Sequence, residues 1–597
     1  MNNFLANFAQ QKVILYFCSM KYAYTLTLLT FFVTCLFTGN SLFSQVSTDS
    51  TNFGSPLDIS LIVAGNFGEV RSNHFHTGID FKTQGVEGKK IYSIDDGYVS
   101  RIGYSHYGYG KVLYIDHPNG YTSVYAHLSK FNSSISDFVR THQYSIQQET
   151  FTVYLDSNQL KVKKGEIIGL SGNSGGSYAP HLHFEIRETE SEHPMNPLLF
   201  GYQISDTKKP MINNLKIYPL NDSSLVNGKS KPVIIPVNKT KNGTYYLNQK
   251  PTAFGHIGCA LHSTDRMNAR NICGLYSLEL NVNGDSLFKH TMDELNFSTS
   301  RYVNHHVDYP RHKQYNNSFH KSFLTGNNKL DIYSHKNKGI SKIQNDSIYR
   351  FNYQAKDFAG NTSKLAFTIQ GDSSGISKTK TKSSSCKNYF EYNKLNVMNK
   401  KGFTALLTPN TLYEDLCVSY QATKTSKYLS DIHSFGTRLA GIHKTYKVII
   451  TPNKLIDSSY HDKLLIISIN DKGRVTDRGG NFQEGTVTTR VREFGKFAVA
   501  MDTTKPYVRL EDKQNVNALK SNATITFKIS DDLSGIESYS ATLDGEWILT
   551  EYDRKRGKWN ISLSEKENLN KGTHKLVLEV IDEKENNNKS EILIYIL

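Results

Sequence analysis

Lys111-Val-Leu-Tyr-Ile-Asp116, followed closely by Tyr121-Thr-Ser-Val-Tyr-Ala126, decides the fold class. Both are short runs of β-branched and aromatic residues separated by a glycine-containing turn, which is the pattern of paired strands. The same alternation of short apolar strands and glycine turns runs from Leu57 to about Gly201, and it predicts one compact antiparallel β domain over residues 50–205. Across the chain, 36 Tyr, 31 Phe and 41 Gly extend this reading to an all-β protein.

At 597 residues the chain exceeds what one hydrophobic core fills, and about four domains fit its length. Asp206-Thr-Lys-Lys-Pro210 and Asp502-Thr-Thr-Lys-Pro506 open two β-patterned segments that remain parallel. Ser263-Thr-Asp265 matches Ser530-Asp-Asp532, and Lys356-Asp357 before Gly360-Asn361 matches Ile581-Asp582 before Asn586-Asn587. Two copies of an immunoglobulin-like β-sandwich, 206–371 and 502–597, account for the repeat. The Ser, Thr and Lys tract 372–387 reads as a flexible linker, and 388–501 as a β domain of another type.

Residues 1–44 hold two apolar stretches, the second preceded by Met20-Lys21. They read as a signal peptide, with Met20 a second candidate start, so the protein is expected to be exported to the periplasm, cell envelope or medium and to keep no membrane span after cleavage. The formal charge of +15 is spread along the chain, which suits anionic surroundings without choosing among them. Cys259 and Cys273 are the candidate disulfide pair, with isolated buried thiols as the alternative.

The chemistry concentrates in His76-Thr-Gly-Ile-Asp80, Tyr125-Ala-His127-Leu128 and His181-Leu-His183. Side chains two apart on a strand share a face, so His181 and His183 project together. His76, Asp80 and one member of that pair make a three-ligand zinc set with room for water, and the remaining imidazoles can handle protons. The glycine-rich run 171–177 lacks the Gly-Lys-Ser/Thr ending of a phosphate-binding loop and reads as a turn bordering the cleft. His305, His306, His312 and His320, interleaved with Tyr, Asn and Arg, read as surface residues, with metal binding as the alternative.

Residues 66–187 carry Phe67-Gly-Glu, His76-Thr-Gly-Ile-Asp-Phe81, Tyr125-Ala-His-Leu128, Val162-Lys-Lys-Gly165, Gly172-Asn-Ser-Gly-Gly-Ser177 and His181-Leu-His-Phe-Glu-Ile-Arg187, and in that order they resemble the lysostaphin/LytM family of cell-wall endopeptidases. The resemblance implies one Zn2+ per chain on His76, Asp80 and His183. It makes His127 and His181 the catalytic histidines, with His181 as general base and His127 steadying the oxyanion. The implied substrate is the peptide part of peptidoglycan rather than nucleic acid. A rival reading makes the domain a non-hydrolytic envelope protein that binds wall peptides or activates another wall hydrolase; all five side chains being present weighs against it. A third places the main role in the sandwiches, as an adhesin or scaffold. Between Phe131 and Val162 the chain is longer than the family's short loop, and this insertion, strand-like at 150–155, is expected beside the groove.

Overall fold

The computed structural model describes residues 52–268, 270–375, 386–511, 515–566 and 569–597. The expected signal peptide, and residues 376–385 of the expected linker, lie outside them. The described chain is all-β, and its sheets are mostly antiparallel.

The Lys111–Asp116 and Tyr121–Phe131 runs pair as an antiparallel hairpin. They extend into a larger sheet in the order Val63–Gly65, Ile79–Lys82, His181–Glu188, Tyr121–Phe131, Lys111–Asp116, Gly97–Tyr104, Lys161–Val162. One face is a dry core of Ile79, Phe81, Leu113, Ile115, Tyr125, Leu182, Phe184 and Ile186, each with no exposed surface. At about 1.5–3 kcal/mol per fully buried large side chain, this face fixes the strand register. The residues between those positions, Asp80, His181, His183, Glu185 and Arg187, are thereby set on the opposite face.

The insertion begins with a helix, Ser133–Ile146, that the strand reading did not foresee. The Asn132 side chain caps it by accepting from the Ile135 amide, and Ile135 and Val139 turn one face inward. Its strand, Phe151–Tyr154, adds to Gly97–Tyr104. That position is four strands from His181–Glu188, or about 19 Å at the usual spacing, so the strand does not border the histidines as expected.

What the insertion does meet is the last β segment of the chain. Tyr144 Oη and Arg140 Nη2 donate to the Glu565 carbonyl at 3.0 and 3.1 Å, and the Tyr144 ring meets Trp547 edge-on. Glu149 is buried between the two, accepting from Tyr104 Oη at 2.8 Å, from the Tyr552 amide at 2.9 Å, and from Tyr539 Oη.

Burial pushes the Glu149 carboxyl up to about 7, while burial and Arg554 hold neighbouring His106 down at about 4. An acid whose pKa rises on docking takes up a proton there, so docking strengthens as pH falls from 8 to about 6.5; below that His106 releases a proton and the two offset. Exchange of the Tyr552 amide, corrected for its intrinsic rate, should slow by about twofold between pH 8 and 6.5. Glu149→Gln should remove that slowing and leave the opposite, His106-driven trend.

The repeat seen in the sequence is structural. Asn361 donates from its backbone and side-chain nitrogens to the two Asp357 oxygens at 2.8 Å, and to the Asp206 carbonyl at 3.2 Å. Asn586 does the same to Asp582 and the Asp502 carbonyl, at the same distances. Asp265 completes a carboxylate trio in the first copy; in the second Asp531 does so, one residue before the Asp532 that the sequence match suggests. Between the copies, two five-stranded sheets enclose Phe435, Val448, Leu464, Ile466 and Phe497.

Cys386 and Cys417 form a disulfide, and Cys259 and Cys273 are separate buried thiols. Of the two readings of Cys259 and Cys273, isolated buried thiols hold, and the disulfide is instead one closed when Tyr389–Phe390 pairs with Leu416–Cys417.

Candidate metal centre

Asp80 and His183 are direct cross-strand partners. His76 reaches them over the turn Thr77-Gly78, where a Cβ on residue 78 would lie 2.4 Å from the Phe184 carbonyl oxygen. Only glycine lets that turn lie so close to the neighbouring strand. His76 Nε2, Asp80 Oδ1 and His183 Nδ1 consequently lie 2.9–3.0 Å from one another, all three side chains buried.

The outward atoms of this trio are already engaged. His76 Nδ1 donates to the Asn66 carbonyl at 2.8 Å, and His183 Nε2 to Glu185 Oε1 at 2.8 Å. Between the rings the Asp80 carboxylate draws a proton onto His183 that a cation held by the three side chains would displace. Burial alone would lower His183, but its hydrogen bonds to Asp80 and Glu185 prevail and hold it up at about 9. Burial would likewise raise Asp80, yet His76, His181 and His183 hold it well below the usual carboxylate range. Two imidazole nitrogens and one carboxylate oxygen suit a borderline divalent metal.

His181 and His127 flank the trio. Their rings lie 4.8 Å apart, and His181 Nε2 stands 3.4 Å from Asp80 Oδ1. His127 sits at a bulge, where Lys111 pairs with Leu128 but Leu113 with Tyr125, and its φ is +60°. A non-glycine residue held in the left-handed region marks a side chain aimed for a purpose.

His127 Nδ1 donates to the Ser174 carbonyl at 2.9 Å, and His181 Nδ1 to the Ala179 carbonyl at 2.8 Å. Both rings therefore present Nε2 as a proton acceptor. The oxyanion role expected of His127 would call on a protonated ring, since its Nε2 is an acceptor when neutral, and burial together with His183 and His181 pushes it down to about 3.

All five expected residues come together, and the structure adds others. Fully buried Glu185 takes His183 Nε2, Tyr109 Oη and Thr77 Oγ1 on one oxygen, at 2.8, 2.5 and 2.7 Å, and Arg187 on the other at 2.7 Å. Arg71 Nη2 donates to the outer Asp80 oxygen at 3.0 Å. Glu185 and Arg187 were legible, since they continue the His181/His183 face at two-residue steps; Arg71 carries no such signal.

The first β repeat braces this centre. Asn66, whose carbonyl orients His76, exchanges side-chain hydrogen bonds with the Gly274 backbone at 2.9 and 2.8 Å. Phe67 and Phe75 are buried in a cluster with Met292, Leu295, Tyr302 and Val303.

Residues 74–146 and 144–197 match the model of peptidase family M23, so this part of the chain is an M23 peptidase domain of the LytM/lysostaphin class. Residues 387–502 match a Zu5-like domain. Among relatives, the DD-carboxypeptidase/endopeptidase Mpg of Neisseria meningitidis is 32% identical over 123 residues, which are 21% of this chain and 22% of that protein. The glycyl-glycine endopeptidase ALE-1 of Staphylococcus capitis is 33% identical over 111 residues, 18% and 24% of the two chains. The lysostaphin catalytic domain of Staphylococcus simulans matches at 27% identity and a TM-score of 0.18, covering 24% of this chain and 91% of that one. The chain spans about a fifth to a quarter of the length of these two curated relatives.

Proposed function

We propose that the protein is an exported zinc metalloendopeptidase that hydrolyses peptide bonds in peptidoglycan stems or cross-links. The observation carrying this reading is the trio His76, Asp80 and His183, whose inward ligand atoms converge to within 2.9–3.0 Å of one another while two imidazoles stand beside it. Zinc held by those three side chains supplies Lewis acidity, polarising a peptide carbonyl and acidifying a water.

The chain's own residues do the rest. His181 Nε2 accepts the water proton as its oxygen attacks the carbonyl carbon, and returns that proton to the departing amine nitrogen. His127 Nε2 accepts a hydrogen bond from the same water or from a substrate amide, fixing the line of attack. Tyr178, fully exposed on the turn before His181, offers a ring to the substrate backbone. The peptides of the wall are the substrate class because the motifs of residues 66–187 resemble those of wall endopeptidases, and an envelope location follows from it.

Purified full-length chain with defined muropeptides should give new amine termini by mass spectrometry. A chelator should stop the reaction and added zinc should restore it. Intact muropeptides after incubation with zinc-loaded, folded protein would favour the non-hydrolytic alternative.

A further inference from the structure

His305, His306 and His320 are not surface residues: their exposures are 4%, 1% and 6%, and only His312 is partly open. His306 and His320 meet a histidine from elsewhere in the sequence, His290, itself 1% exposed. His290 lies on the strand Asp285–Thr291, His306 ends the short helix Val303–His306, and His320 lies on the strand Phe319–Lys321.

One ring nitrogen from each falls within 4.8 Å of the others. The ring centroids are 4.9, 5.1 and 5.9 Å apart, against 4.9 Å for His76 and His183. His306 Nε2 and His320 Nδ1 stand 3.0 Å apart, the spacing of the two histidine nitrogens in the peptidase centre.

A hydrogen-bonded histidine network would explain part of this. His306 Nδ1 can donate to Tyr333 Oη at 2.9 Å, an oxygen that also accepts from Asn328 at 3.1 Å, which leaves His306 Nε2 as the acceptor. It does not explain His290, both of whose ring nitrogens are buried without a hydrogen-bond partner. Each orphaned group costs about 1–3 kcal/mol, and a network that leaves two of them on one ring is a poor one. A metal ion would use one nitrogen and remove part of that cost.

We propose that His290, His306 and His320 form a second metal site, structural rather than catalytic, for a divalent transition metal of which zinc is the natural occupant. Three imidazoles with no carboxylate among them suit zinc and exclude calcium or magnesium as the intended ion.

The site joins two strands and a helix that support the peptidase centre. The His306 ring meets Phe75 edge-on at 5.6 Å, and the Phe75 amide donates to Ser300 Oγ at 3.2 Å. Asn304, two residues from His306, donates to Asn73 at 3.0 Å. Phe75 immediately precedes His76, so an ion here would stiffen the bed on which that residue lies.

Zinc content of the full-length protein, measured by atomic emission after gel filtration, tests this. The wild-type chain should hold about two ions and the Asp80→Ala/His183→Ala variant about one. Adding His320→Ala to that variant should remove the last ion. Should the triple variant fail to fold, the double variant suffices: zinc, but not magnesium, should raise its melting temperature, and cobalt should give the visible absorption of a nitrogen-ligated tetrahedral ion. A folded double variant that retains no zinc after incubation with excess metal overturns the proposal. If the wild type then holds about one ion, the peptidase centre stands and only the second site falls.

Discussion

His183→Ala should lose zinc and activity together, whereas His181→Ala should keep its zinc and lose turnover by about a hundredfold or more. The two side chains share a strand face and differ in what their inner nitrogen meets. His183 Nδ1 lies 2.9 Å from Asp80 Oδ1 and 3.0 Å from His76 Nε2, so its removal leaves two protein ligands of three. His181 Nε2 stands farther out, at 3.4 Å from the same oxygen, with Nδ1 tied to the Ala179 carbonyl; its loss removes a proton acceptor and no ligand. His127→Ala should follow His181→Ala. Metal content and hydrolysis of purified sacculi, measured on all three variants, decide the matter, counting loss of metal at the peptidase centre alone. Zinc lost from the His181 variant and kept by the His183 variant would exchange the two roles.

Glu185→Ala is expected to damage stability and metal affinity at once. The carboxylate is fully buried and receives His183, Tyr109, Thr77 and Arg187, and these partners hold it ionised against a burial that would raise it. Removing it leaves the Arg187 guanidinium buried without its main counter-charge, which costs about 3–5 kcal/mol. It also frees the His183 ring to turn, and loss of such an outer partner weakens metal binding by about 10–100-fold. Denaturant unfolding reports the first effect and competition with a zinc chelator the second. A variant that unfolds early but binds zinc with unchanged affinity would make Glu185 a purely structural residue.

Much of the peptidase centre was legible because a strand has a two-residue period. Leu182, Phe184 and Ile186 had to face the core, so His181 and His183 had to share the other face, with Glu185 and Arg187 continuing it. The helix Ser133–Ile146 was legible too, from Asn132 and the four-residue step from Ile135 to Val139, although the neighbouring segment alternates like a strand. The His127 bulge was not, since which residue becomes the extra one depends on how Lys111–Asp116 aligns with its partner. The tautomers that make both flanking histidines acceptors depend on the Ser174 and Ala179 carbonyls, and only folding aims those at the rings.

By itself, then, the sequence determined the all-β class and the repeat, because each of these follows from local periodicity or from motifs within a short span, while the five residues that converge were implied by the resemblance to the lysostaphin/LytM family. Tertiary structure alone decided which cysteines pair, why His290 joins His306 and His320, and that the two β repeats brace the peptidase centre and dock on its insertion. Those contacts join residues far apart in the chain, such as Asn66 with Gly274 and Glu149 with Tyr552, and no local pattern of side chains encodes which distant surfaces will bury each other.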